Sequence, residues 1–124
     1  MVAYSFAMRF ARIVESGAKT QTIRGHRKRH ARPGEPVQLY TGMRTKACRK
    51  LVTPDPICEA VMAVTLDMRH AAVTLDDVPL PLDTLNDFAQ ADGFANFEDM
   101  RGWWQKTHGD AVFEGVLIRW KASA

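Results

Sequence analysis

Residues 8–24 read MRFARIVESGAKTQTIR, and the change of pattern inside this stretch decides the fold. Phe10, Ile13 and Val14, completed by Met8 and Ala11, recur at helical spacing and predict a helix over Met8–Ser16. Gly17 follows as a residue that ends the helix by accepting a left-handed conformation. Thr20–Arg24 is rich in β-branched residues and predicts a strand. A helix that gives way to a strand within three residues marks a mixed, α+β chain.

Working outward, Ala3–Phe6 predicts a short first strand. Gly25–Arg32 is a polar, basic loop, and Pro33-Gly34 is a turn signal ahead of a strand at Val37–Thr41. Pro54 and Pro56 mark a further break. Ile57–Met68 is long and mostly apolar, which predicts a buried strand, and Ala72–Leu75 continues the sheet. After the Pro79–Pro81 turn a helix is expected near Asp83–Ala91, interrupted at Asp92-Gly93. Asn96 has the character of an N-cap, with Asp99 three residues on as in a capping box, and the helix it opens runs to about Thr107. His108-Gly109 closes that helix, and Val112–Trp120 predicts a final strand. A strand and a helix are thus followed by a run of strands, two helices and a last strand. A small curved mixed sheet or open barrel with helices against it fits that order. The sequence shows neither an internal repeat nor a low-complexity linker, so residues 1–124 are expected to form one domain.

The 124 residues are 46% apolar and 25% charged, values of a globular chain long enough to bury one core without disulfides or metal. No apolar run approaches the length of a membrane span. The N-terminus lacks the basic start, apolar centre and small-residue cleavage site of a secretory signal, so a cytoplasmic, non-membrane protein is expected. In a reducing compartment Cys48 and Cys58 are expected as thiols. With His26 and His30, at H-x3-H spacing, they could make a zinc set. However, they lack the close C-x2–4-C spacing of structural sites, so no metal or cofactor is expected.

The formal charge of +3 conceals a strong asymmetry. Residues 19–50 carry ten Lys or Arg (Lys19, Arg24, Arg27, Lys28, Arg29, Arg32, Arg44, Lys46, Arg49 and Lys50) and one acid, Glu35. Residues 51–124 carry five bases and twelve acids. Such a division gives a local positive field despite a small net charge, and it favours a polyanionic partner over a merely solvated face.

Gly17-Ala18-Lys19-Thr20-Gln21-Thr22-Ile23-Arg24 resembles the G-x-K-x-x-T-x-R signature of ASCH domains, members of the PUA-like superfamily. The preceding helix, the following Pro-Gly turn and strand, and the Gly-Phe helical unit before the last strand extend the likeness over most of the chain. The resemblance implies a PUA-like small mixed β-barrel with flanking helices and a cleft beside the motif. It also implies RNA binding, and in some members hydrolysis, either by a ribonuclease or by an amidohydrolase acting on N4-acetylcytidine with a lysine, a threonine and a glutamate. Lys19 and Thr22 match the first two. Asp92, in Ala89-Gln90-Ala91-Asp92-Gly93-Phe94, stands where that family has Glu, one methylene longer.

Read from the residues themselves, Lys19 lies at a bend and can be aimed into a cleft. A partly desolvated lysine beside Arg24 has its pKa pushed down and becomes a plausible base. Thr22 offers a hydroxyl to activate or to orient a ligand, and Asp92 a proton shuttle. In a regular strand Lys19 and Thr22 face opposite ways, so the two converge only if Lys19 belongs to the turn after Gly17. Tyr40 could stack on an unpaired base while Arg44, Thr45 and Lys46 hold phosphates, as a second wall of the cleft, although a core tyrosine in a hairpin fits Tyr40 equally. Arg27, Lys28, Arg29 and Arg32 read as a nonspecific phosphate rail or as a solvated loop. Of the adjacent Trp103 and Trp104, one is expected in the core and the other at the cleft rim. Three functions stay open: a module binding single-stranded RNA or a (modified) nucleoside, a metal-independent hydrolase of the same fold, and a protein-interaction module.

Overall fold

The computed structural model describes residues 2–123. Strand β1 (Val2–Phe6) leads into helix α1 (Met8–Glu15), β2 (Gln21–Arg24), β3 (Val37–Thr41), β4 (Arg49–Lys50), β5 (Ile57–Asp67), β6 (Ala72–Leu75) and β7 (Val78–Pro79). One turn of 3₁₀ helix at Leu82–Thr84 opens α2 (Leu85–Ala91), followed by α3 (Phe97–His108) and β8 (Phe113–Lys121). Helices and strands share the chain as the α+β reading requires, and the long elements fall within a residue or two of their expected bounds. The two-residue strands β4 and β7 were not expected, because two residues carry no periodicity. Among the described residues no helix is long and apolar enough to cross a membrane.

The strands form two sheets, ordered β1-β3-β4 and β2-β8-β5-β6-β7. In the first, β1 runs parallel to β3, with Val2 opposite Val37 and Phe6 opposite Thr41. In the second, every pairing is antiparallel, and β8 lies between β2 and β5. An isolated bridge between Pro36 and Ile57 joins the sheets at one corner, reinforced by Val37 N donating to Pro56 O at 2.9 Å. Elsewhere among the described residues no strand ladder joins the two sheets, so the expected barrel is not closed. Where a barrel would pair β1 with β2, side chains intervene: Arg24 Nη2 donates to Ser5 O at 2.8 Å and Arg27 Nη2 to Ala3 O at 3.4 Å. Two cations of the basic segment thus satisfy carbonyls that a neighbouring strand would otherwise take.

Alternation along β1 and β3 sends Tyr4, Val37 and Leu39 into the buried core, which also holds Val14 of α1, Leu117 and Ile118 of β8 and Met100 of α3. Phe10, Ala11 and Val14 make the buried stripe of α1, but Met8 is 73% exposed. At the first helical position its side chain lies outside the packed face. Helix α3 starts as its sequence predicts: Asn96 Oδ1 accepts from Asp99 N at 2.9 Å. The Asp99 carboxylate reaches back one residue further than in a regular capping box, to Ala95 N at 3.0 Å. Gly109, at φ 76°, ends the helix.

Gly115 of β8 lies flush against the Arg24 carbonyl. A Cβ built there would press on that oxygen and sit 2.6 Å from the Phe113 ring. Because the obstacle is backbone, Gly115→Ala must push β2 off β8. We expect a loss of about 1–3 kcal/mol, read as a lower urea midpoint at unchanged m. A wild-type midpoint would show that the two strands are not held at this spacing.

Candidate functional site

Gly17, at φ 84°, reverses the chain after α1, and Lys19 N donates to Ile13 O at 3.0 Å while Thr20 N donates to Ala91 O at 2.9 Å. Lys19 therefore belongs to the bend ahead of β2 and not to the strand, which is the geometry that lets it converge with Thr22. Both residues are 4% exposed, as is Asp92 at the C-terminal cap of α2. All three border one cleft of about 230 Å³, together with Arg24, Ser5 and an aromatic lining that includes Phe6, Phe10, Phe94 and Trp103.

The Lys19 ammonium donates to the Asp92 backbone carbonyl and stands 3.6 Å from Asp92 Oδ1. It also lies 5.1 Å from the Phe10 ring centroid and 5.8 Å from that of Phe6, so aromatic faces supply part of its surroundings. Its stem passes over Gly93, where a Cβ would come within 3.0 Å of Lys19 Cδ. Gly93 also holds φ at 97°, so glycine there serves both the turn and the path of the lysine. Burial pushes the Lys19 pKa below the ordinary lysine value, with Arg24 adding to the effect and Asp92 opposing it. Burial raises the Asp92 pKa, against the pull of Lys19 and of a hydrogen bond from Gln21. Each shift moves the pair toward its neutral form.

Thr22 Oγ1 accepts a hydrogen bond from Arg24 Nε at 2.9 Å. That bond occupies one lone pair of the hydroxyl, and a guanidinium there stabilises negative charge on the oxygen. Arg24 is itself held by Ser5 O and by the Phe6 ring, 4.9 Å from its centroid.

The remaining predicted residues lie elsewhere. Tyr40 sits in β3 beside Ser5 of β1 and Lys50 of β4, on the side of the sheet away from Leu39, and it does not border the cleft. Arg44, Thr45 and Lys46 are exposed in the following loop, and Thr45 Oγ1 closes that turn by donating to Gly42 O at 2.6 Å. The opposite cleft wall is aromatic instead, from Phe10 and from Phe94 and Trp103. Trp104 is the buried member of the tryptophan pair, and Trp103 is the half-buried one. In the basic loop, Arg27 stacks 4.6 Å over Tyr4 and Arg29 pairs with Glu35. Among the described residues Lys28, Arg32, Arg44 and Lys46 form no ion pair, whereas Arg49 and Lys50 pair with Glu15 and Asp55. His30 engages Tyr4 Oη and Gly25 O through its two ring nitrogens.

Gln21 is the site residue that the sequence reading missed. It is fully buried, and its Nε2 donates to Asp92 Oδ1 at 3.2 Å. Strand alternation would have placed it on the Lys19 side, and a buried amide needs partners there. Phe10 was read only as part of an apolar helix stripe, because a cleft wall and a core use the same residue types.

Family models, curated proteins and solved structures were compared with this chain, and none of them matches it.

Lys19→Met leaves a buried carboxylate without its cation and should cost about 3–5 kcal/mol at neutral pH. The pH dependence follows from Asp92: burial raises its pKa and Lys19 opposes that rise, so in the variant it stands higher still. Between the ordinary value of 3.8 and the raised one the folded protein binds more protons than the unfolded chain, so stability falls as pH rises. The cost of the variant should accordingly shrink in acid, and adding Asp92→Asn should restore most of the loss at neutral pH. Denaturant melts of both variants across pH check this, and a pH-independent cost would contradict it.

Proposed function

We propose that the cleft binds a single nucleobase, either of an RNA strand or of a free nucleotide, modified or not, with phosphates taken by the adjoining basic loops. The observation that carries this reading is the meeting of Lys19, Thr22, Arg24 and Asp92 with aromatic walls in a cleft of nucleobase size. Polar groups fix the edge of a base while aromatic rings meet its faces. The unpaired Lys28, Arg32, Arg44 and Lys46 supply cations outside the cleft. The likeness of Gly17–Arg24 to the ASCH signature supports the same reading, as do the two sheets joined at one corner with helices alongside, which suit an opened PUA-like barrel.

A second reading, hydrolysis of an acyl amide on a pyrimidine nucleoside, is favoured by the Lys19–Asp92 pair in particular. Lys19 first passes a proton to Asp92, and the amine so formed takes the Thr22 proton as Thr22 Oγ1 bonds to the acyl carbon. The C–N bond then breaks, and protonated Asp92 gives its proton to the leaving nitrogen. Water next adds to the ester carbon and loses its proton to Asp92. Lys19 returns its proton to Thr22 as the C–O bond breaks, which restores both groups. Arg24 Nε, bonded to Thr22 Oγ1, steadies the alkoxide as it forms.

A labelled single-stranded RNA of about 12 nucleotides should bind at low salt, with log K falling by about 0.7 per phosphate contact against log salt. Replacing Lys28, Arg32, Arg44 and Lys46 by Gln should flatten that slope. Binding that is absent at low salt, or indifferent to it, overturns the RNA reading. With an N-acylated cytidine, Lys19→Ala or Thr22→Ala should lower turnover at least about 100-fold, and turnover that survives both removes these residues from the chemistry.

A further inference from the structure

Gln21 has no solvent exposure, and its amide stands between two different kinds of group. Its Nε2 end donates to Asp92 Oδ1 at 3.2 Å and to Phe88 O at 3.5 Å. Its Oε1 end accepts from Arg119 Nε at 3.2 Å. An amide is nearly symmetric in shape but not in polarity. Exchanging its ends would set an acceptor against Asp92 and the Phe88 carbonyl, and a donor against the guanidinium. Arg119 can only donate, so it dictates which end of Gln21 turns toward Asp92. Gln21 and Arg119 face each other in the register of β2 and β8, so the sheet pairing itself maintains this contact.

We propose that Arg119 and Gln21 are positioning residues, forming a donor relay that runs from β8 through β2 and holds the Asp92 carboxylate toward Lys19. Arg119 does not border the cleft and acts through its neighbour. The relay engages Oδ1, while Oδ2 accepts no hydrogen bond from the described residues and stays available to a ligand. The same amide donation favours the charged carboxylate and opposes the effect of burial on Asp92. This inference rests on the reading that gives Asp92 a role in the cleft.

Carbon-detected NMR titration of the Asp92 carboxyl in the ligand-free protein tests the relay. Arg119→Met keeps the aliphatic stem and removes the donor, and Gln21→Met breaks the middle link at similar volume. In each, the Asp92 midpoint should rise by about one pH unit, the equivalent of one lost hydrogen bond to a charged acceptor. Arg119→Lys, which still donates, should return the midpoint toward that of wild type. A wild-type midpoint in either folded methionine variant overturns the relay, and because the two variants break it at different links, the test stands if one of them fails to fold. Since no ligand is present, the relay can fail while the cleft still binds nucleotides. Equally, a cleft that binds none leaves the midpoint result intact.

Discussion

The contact between Lys19 and Asp92 joins the parts of the molecule that make the cleft. Lys19 leaves the bend after α1 and Asp92 ends α2, 73 residues later in the chain. Taking both charges out of water costs several kcal/mol per ion, and attraction alone seldom offsets that. Here the ammonium also has the Asp92 carbonyl and two phenyl faces, and the carboxylate has the Gln21 amide. The pair is therefore held by these added partners and not by charge attraction alone. The surrounding features follow from it, including the bare backbone at Gly93 and the reversal at Gly17.

Much of this arrangement was legible along the chain. The stop at Gly17, the strand after it and the Asn96 cap are local matters, settled by neighbouring residues. The convergence of Lys19 with Thr22 could be stated as a condition, since it required only that Lys19 lie in the bend. The part that was not legible depends on partners far apart in sequence. Nothing near Gln21 announces that its amide will meet residue 92 on one side and residue 119 on the other. Nor does sequence tell an aromatic that fills a core from one that walls a cleft, because burial selects the same side chains for both.

The basic run illustrates how composition overstates uniformity. Arg24 and Arg27 bind carbonyls of β1, Arg29, Arg49 and Lys50 answer nearby carboxylates, and Lys19 is buried. What remains for a polyanion is a smaller set around two loops. Charge counted along the chain and charge available at the surface are different quantities, and only side-chain partners convert one into the other.

The two guanidiniums on the free edge of β1 have a consequence for how the protein behaves among copies of itself. A strand with open carbonyls is a template for another strand, and natural sheets guard such edges with charge. Here the guard is bonded directly to the template, and arginine keeps its charge at any physiological pH. Arg24 and Arg27 thereby cover the β1 edge against pairing with a strand of a second copy.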